Sequence, residues 1–501
     1  MAGKVWLVGA GPSDRGLLTL KAKEVIEQAD VIVYDALVGS EILAMVPQDV
    51  ECINVGKRAS HHIKKQEETN RILLEEALKG KKVVRLKGGD PFLFGRGGEE
   101  LQLLVENDVP YEIIPGVTSA ISVPAYNGIP VTHRDFVSSV HIITGHKKKD
   151  EPLDIPFKAF VECKGTLVFL MGVSALSDIC QGLREAGMDP MMPAAILQKG
   201  TTAEQRRVVA TISDLPEKAA EAKIETPAII VVGRVCSLAE DFGWIEKKEL
   251  FGCRVVVTRP QDRSSELSSR LRSLGAQVIE IPAIRTRALD DMSRLDAAIA
   301  DLGNYQWIAF TSPAGVKVFM EELRRCHKDV RSLAGCKVAA LGKGTAKELE
   351  KYGLFADLMP ATYDGQNLGM AIAAEAKAGE RVLLPRASKG NPEIVAEIQK
   401  NPNVTVDDIA IYDTLFEKPV LLDEKAEFEQ HPQTMAVFTS ASTVKGFLAA
   451  TEGLDVMKIR ALCIGKQTAA EAEKAGMQVY VSEKATMDAM VELVRKVYAE
   501  E

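Results

Sequence analysis

No apolar stretch of this 501-residue chain approaches the roughly 18 to 20 residues that a membrane helix needs, so a spanning helix has no candidate. Aromatic residues are scarce at 5%, and positive charge is not in excess: 62 Lys and Arg stand against 70 Asp and Glu, a formal net charge of −8. A chain that grips nucleic acid through its bulk field has the opposite balance, so no nucleic-acid partner and no membrane are expected, and an anionic ligand must be held by locally placed cations. Eight cysteines (Cys52, Cys163, Cys180, Cys236, Cys253, Cys326, Cys336 and Cys463) form no C-x-x-C pair and no tight cluster with histidine. That spacing excludes a disulfide framework and a zinc site, points to a reducing cytoplasm, and leaves no metal to expect. The first apolar run, Val5–Val8, breaks at Gly9-Ala10-Gly11-Pro12 before reaching the length of a secretory signal core.

What is present is a soluble composition, 46% hydrophobic and 26% charged, in a chain long enough for three or four folding units at roughly 150 residues each. The first half alternates short apolar runs (Val5–Val8, Val31–Tyr34, Val83–Leu86, Ile113–Ile114, Ile142–Thr144, Thr166–Leu170, Ala194–Leu197, Ala228–Val232) with helical spacing at Leu17–Gln28, Gln66–Leu78 and Glu99–Glu106. This is the pattern of an α/β fold with buried strands. The stretch Lys147–Pro152 reads as a solvated loop dividing this half, and Glu246–Leu250 as a linker before Phe251.

After the linker the chain repeats itself. Phe310-Thr311-Ser312-Pro313 matches Phe438-Thr439-Ser440-Ala441, Leu341-Gly342-Lys343-Gly344-Thr345 matches Ile464-Gly465-Lys466-Gln467-Thr468, and Arg254–Thr258 matches Arg381–Pro385. Two copies, and not many, predict a bilobed protein and not a solenoid. The opening strands of one copy are separated from its closing strands by an unbroken five-strand set at 307–412, so one lobe is inserted into the other, with a hinge near 283–290 and 412–420.

Three segments of the first half invite chemistry. Gly9-Ala10-Gly11-Pro12-Ser13-Asp14 lies between a strand and a helix, but Asp14 occupies the third glycine position of the dinucleotide fingerprint and Pro12 lacks an amide for a pyrophosphate. Asp35 follows a strand, at the edge where open α/β sheets bind ligands, although a turn would also explain it. From Arg85 to Glu100, five glycines in eleven residues (Gly88, Gly89, Gly95, Gly97, Gly98) let a ligand approach bare backbone, while the missing Gly-Lys-Ser/Thr rules out a phosphate loop.

Together with Val55-Gly56-Lys57-Arg58, Pro115–Ala120, Gly128–Arg134 and Thr144-Gly145-His146, these segments make residues 3–245 resemble uroporphyrinogen-III C-methyltransferase, a tetrapyrrole methylase. The resemblance implies a domain at 1–245 built of two α/β subdomains (about 1–114 and 115–245), with S-adenosyl-L-methionine as methyl donor and S-adenosyl-L-homocysteine as product. By the same resemblance Pro12, Gly88, Gly89, Asp90, Leu93, Thr118, Ser119, Met171 and Gly200 bind the donor, Asp35 accepts a proton and Lys57 donates one. Arg58 and His61, in a cationic stretch with Lys64 and Lys65, would hold the substrate's carboxylates. Ser13 departs from the family's Gly-Pro-Gly-Asp and is tolerable there if its backbone angles are ordinary. The family also implies a homodimer through this domain.

Residues 251–501 resemble uroporphyrinogen-III synthase, which closes hydroxymethylbilane with inversion of its last ring and needs no cofactor. The resemblance implies lobes at about 251–285 with 418–501 and at about 288–412, joined by a two-stranded hinge. It gives Tyr412 the role of hydrogen-bond donor to the leaving hydroxyl and places Arg259, Ser312, Thr345, Arg386, Ser440 and Thr468 on the substrate's carboxylates. For the four hydroxyl residues, helix N-capping is the competing explanation. The two resemblances imply a bifunctional enzyme of the sirohaem and cobalamin routes that makes uroporphyrinogen III and methylates it twice to precorrin-2. The alternative is a methyltransferase whose second half only binds tetrapyrrole.

Overall fold

The computed structural model describes residues 3–47, 49–56, 66–146, 153–260, 266–416 and 423–500, without the side chains of Arg259, Pro260, Pro282 and Glu424. Strands β1 (Lys4–Gly9), β2 (Val31–Tyr34), β3 (Glu51–Asn54), β4 (Lys82–Lys87) and β5 (Tyr111–Ile114) form a sheet in the order β3-β2-β4-β1-β5. Every pairing in it is parallel. Helices cover both faces of such a sheet, so its central strands read as unbroken apolar runs: Val31, Ile32 and Val33 have no exposed surface. Parallel pairing also gathers all five carboxyl ends on one edge, and the functional loops leave from there.

Strands β6 (Val140–Thr144), β7 (Thr166–Leu170), β8 (Pro193–Gln198), β9 (Arg206–Thr211) and β10 (Ala228–Val232) form a second, mixed sheet in the order β6-β7-β10-β8-β9. The expected dividing loop Lys147–Pro152 lies outside the described residues. Its flanking strands β6 and β7 pair with each other, however, so the break between the two sheets falls earlier, between β5 and β6. The helix expected over 17–28 is a short turn at Arg15–Leu17 and a helix Leu20–Glu27 capped by the Thr19 hydroxyl, whereas Gln66–Leu78 forms as its spacing predicts.

In the second half the strands are β11 (Arg254–Pro260), β12 (Gln277–Ala288), β13 (Trp307–Phe310), β14 (Lys337–Ala340), β15 (Arg381–Ala387), β16 (Thr405–Phe416), β17 (Met435–Phe438), β18 (Arg460–Cys463) and β19 (Gln478–Val481). The chain divides into two compact units, residues 1–283 with 418–501, and residues 284–417. The first unit therefore holds both amino-terminal sheets as well as β11 and β17–β19.

The repeat is visible in strand register. Phe310 pairs with Ala340 as Phe438 pairs with Cys463, and Trp307 with Lys337 as Met435 with Arg460. The inserted copy differs in one respect. Among the described residues its strand set comprises four strands, β13–β16, and not five, because the place of β19 is taken by a single bridge, Ala339 to Leu358. Within the second unit Ile284–Ala288 pairs antiparallel with Tyr412–Phe416, forming a two-stranded ribbon at the predicted hinge positions.

Candidate active sites

Three glycine-bearing loops converge on the carboxyl edge of the first sheet. Gly89 donates to the Gly11 carbonyl at 2.8 Å and Gly11 returns the bond to Gly89 at 3.2 Å, stitching the loops after β1 and β4. A Cβ on Gly9 would fall 2.5 Å from Gly116, and one on Gly116 would fall 2.2 Å from the Gly89 carbonyl, so only glycine allows this approach. Gly89 itself has φ +69° and open space where a side chain would point, so it presents bare backbone to solvent. Asp90 is the strut: Oδ1 accepts from the amides of Phe92 and Leu93, and Oδ2 accepts from Gly116 at 3.0 Å.

The second sheet supplies the opposite wall. The Thr201 hydroxyl donates to the Pro12 carbonyl at 2.7 Å, and the Tyr126 hydroxyl donates to Asp14 at 2.6 Å. Gly200 abuts Val123, where a Cβ would lie 2.4 Å away. Thr118 caps the helix Ser119–Tyr126 by accepting from Ala120, and Met171, at φ +56°, is half exposed just beyond β7. Pro12, Gly88, Gly89, Thr118, Ser119, Met171 and Gly200 thus all lie on loops or helix starts at strand ends, while Leu93 packs against the core of the second sheet.

Asp35 follows β2 on the same edge. Its Oδ1 accepts from the Leu37 amide at 3.1 Å, and its Oδ2 lies 3.4 Å from Arg85 Nη2. Arg85 and Lys87 are cations in the buried part of β4, and both donate to Glu100 Oε1, at 3.0 and 2.9 Å. Glu100 has no exposed surface, and its Oε2 has no hydrogen-bond partner among the described residues. Two cations against one fully desolvated carboxylate leave a net positive charge behind Asp35. Burial, followed by the repulsion of Arg85, holds the Lys87 ammonium below its ordinary pKa. Lys57, Arg58 and His61 lie outside the described residues. The last residue before them, Gly56, presses against Asp35 and Ala36, with room for no Cβ.

The condition set for Ser13 is not met. Its φ is +114°, a region that glycine adopts freely and serine does not, and the chain is pressed there by Gly39, where a Cβ would come within 2.8 Å of Ser13.

In the inserted unit the Tyr412 and Ser312 hydroxyls are 2.7 Å apart, and Ser312 also caps the helix Pro313–Arg325 by accepting from Gly315 at 3.0 Å. Burial raises the Tyr412 pKa, so the phenol stays protonated and able to donate. Arg386 is spent locally: Nε and Nη2 each reach Asp408 at 2.6 Å, and Nη1 reaches the Asn391 carbonyl. Thr345 is buried in the first turn of the helix Lys343–Glu350. In the other unit Ser440 forms a capping box with Thr443, and Thr468 is buried in the helix Lys466–Lys474. Ser312 and Ser440 are therefore both N-caps; the Arg259 side chain is outside the described residues. Asp296, Glu322 and Cys326 converge within 4.8 Å, and Arg325 sits 2.5 Å from both carboxylates and offsets part of their charge.

Sequence reasoning did not single out Arg85, Lys87, Glu100, Tyr126 or Thr201. The signal available was the pair of cations two residues apart in the apolar run Val83–Leu86 with Lys87. The partners lie too far along the chain to be inferred.

Residues 4–216 match the family of tetrapyrrole (corrin/porphyrin) methylases, and residues 265–492 match uroporphyrinogen-III synthase HemD. A porphyrin biosynthesis protein HemD of Ruminiclostridium josui is 46% identical over 98% of this chain and 97% of its own. A uroporphyrinogen-III C-methyltransferase of Bacillus subtilis is 41% identical over 70% of this chain and 72% of its own. A uroporphyrin-III C-methyltransferase of Thermus thermophilus, solved with S-adenosyl homocysteine, is 39% identical over 47% of this chain and 99% of its own, with a TM-score of 0.40.

Proposed function

Because this chain belongs to the HemD family of porphyrin-biosynthesis proteins, with a tetrapyrrole methylase ahead of a uroporphyrinogen-III synthase, we propose that it performs both steps in sequence. The second half closes hydroxymethylbilane to uroporphyrinogen III with inversion of ring D, and the first half methylates that product twice to precorrin-2. The observation that carries the methylase reading is the pair of glycine loops beside Asp35 in which the Gly11 and Gly89 amides bond each other's carbonyls and Gly89 stands open, which fits an uncharged adenosyl group better than a pyrophosphate that would need free amides. S-adenosyl-L-methionine bound there supplies the methyl group. Pro12, Gly88, Gly89, Leu93, Thr118, Ser119, Met171 and Gly200 border its site, with Asp90 holding the loops in place.

At each transfer a carbon–carbon bond forms at the pyrrole as the sulfur–methyl bond breaks, and the ring system then loses a proton. Asp35 accepts that proton, its carboxylate aimed by the Leu37 amide. Lys57 serves as donor, and Arg58 and His61 hold carboxylate arms. In the second half the protonated Tyr412 phenol assists departure of the hydroxyl, with Ser312 orienting it. Thr345, Ser440, Thr468, Arg259 and Arg386 are the remaining candidates for the substrate's carboxylates. No metal takes part, and the protein works in the cytoplasm as a homodimer through its first domain, without nucleic acid or membrane. The consumption of Arg386 by Asp408 and of Ser440 by its capping box favours one second reading, in which the carboxyl half binds tetrapyrrole without closing it.

A single-pot assay tests the proposal: hydroxymethylbilane with and without S-adenosyl-L-methionine, the isomers and methylated products resolved by chromatography and mass. Type III isomer without the donor and a dimethylated product with it are expected. Asp35→Ala is expected to abolish methylation and spare closure. Type I isomer alone, with added type III substrate still methylated, would reduce the protein to a methyltransferase.

A further inference from the structure

Three segments around the proposed active site, two at the donor candidates Pro12 and Gly200 and one just past Asp35, are each held by a side chain of the synthase half within the same compact unit. Arg15, two residues past Ser13, donates to Glu280 at 2.5 Å. On the helix Ser40–Leu43, which follows Asp35, the Ser40 hydroxyl donates to Glu427 at 3.1 Å, and Glu41 accepts from Arg272 at 3.3 Å. Beyond Gly200, the Ala203 amide donates to Gln277 at 2.9 Å, and Glu204 lies 2.5 Å from His431.

These contacts are built, not incidental. Glu427 is buried and clamped by the Arg254 guanidinium, which also donates to Gln277 at 3.0 Å, so the groups meeting the second and third loops are fixed to one another. Arg272 lies 3.9 Å from Glu280 and joins the first loop's partner to the second's. The loop being held needs holding, because Ser13 sits at φ +114° and a free loop would relax it.

We propose that Glu280, Glu427, Arg272 and Gln277 are positioning residues for the methyl-donor site: the synthase half clamps the loops at 12–15, 39–41 and 200–204 in their binding conformation. This rests on the methylase reading above. A ligand that needs those loops ordered binds more tightly when something else has already ordered them, so the clamp acts on donor affinity more than on the chemical step.

Calorimetric titration of the full chain with S-adenosyl-L-homocysteine reads that affinity without turnover. Glu280→Gln is expected to weaken binding about five- to tenfold, and to raise the KM for the methyl donor more than it lowers kcat. Arg15→Gln should also weaken binding, and the double variant should be no weaker than Glu280→Gln alone, because the Arg15 contact is already lost in that variant. Wild-type affinity in a folded Glu280→Gln chain, or losses that add in the double variant, would overturn the clamp and leave the methylase reading intact. Failure of the wild type to bind S-adenosyl-L-homocysteine would instead overturn the reading and the inference with it.

Discussion

Glu41 offers a pH signature of the contact between the two halves. Only 6% of it is exposed, and burial, reinforced by Asp14 and opposed by Arg272, lifts its carboxyl from 4.5 to about 7. A folded-state pKa above the unfolded one means that folding favours the protonated form. The associated stability is fully present below pH 4.5 and is lost as pH rises through 7. The full difference is about 3 kcal/mol at ~1.4 kcal/mol per pH unit, and roughly 2 kcal/mol of it disappears between about pH 5.5 and 8.5. Glu41→Gln removes the ionisation and keeps an acceptor for Arg272. Thermal melts of both proteins across that range should show the variant gaining on the wild type as pH rises, the gap widening by a few degrees, roughly. Every other titrating group is common to the two chains, so the change in the gap belongs to Glu41 and a constant offset does not. A gap that stays flat or narrows with rising pH would show Glu41 already ionised against Arg272, and the burial argument would fail.

Two further substitutions report on local structure. Ser13→Gly should raise the melting temperature by relieving strain of about 1–3 kcal/mol, less the ~0.5–1 kcal/mol of unfolded-chain entropy that glycine adds; a lower melting temperature would mean that the serine is at ease there. Tyr412→Phe removes the hydroxyl 2.7 Å from Ser312, at a stability cost of about 1 kcal/mol, and should slow ring closure. An unchanged closure rate in that variant would make Tyr412 a packing residue.

Legibility in the sequence followed burial. Each apolar run expected as a strand in the first half became one, and the two strands that the reading missed, β3 and β9, are both sheet edges. An edge strand lacks the two-sided burial that produces a continuous apolar run, and β9 opens on Arg206-Arg207, which reads as loop. The place of Asp35 on the carboxyl edge was legible because it directly follows the apolar run of β2. The Arg85–Glu100–Lys87 cluster was not, because a buried cation looks the same in sequence as a solvated one until its partner is placed. Ser13 illustrates the opposite limit, since residue type alone implied ordinary angles and the close approach of Gly39 decides otherwise.

The repeat shows how two copies of one unit divided their work. Their strand registers coincide, and Ser312 and Ser440 cap equivalent helices, so the shared features are those the fold requires. Their differences lie in what the side chains do next. Ser440 turns back on Thr443 of its own helix, whereas Ser312 turns to a phenol 100 residues away. Arg254 binds Glu427 and Gln277, both of which reach the methylase loops, while its counterpart Arg381 binds Asp301 and Asp407 within the inserted unit. The polar groups named in the inserted copy bond within their own unit, whereas Glu427 and Gln277 of the other also reach the first half of the chain. The two copies thus share a scaffold and differ in the partners of their polar side chains: Glu427, held by Arg254, reaches Ser40 in the first half of the chain, and Ser312 reaches the Tyr412 phenol.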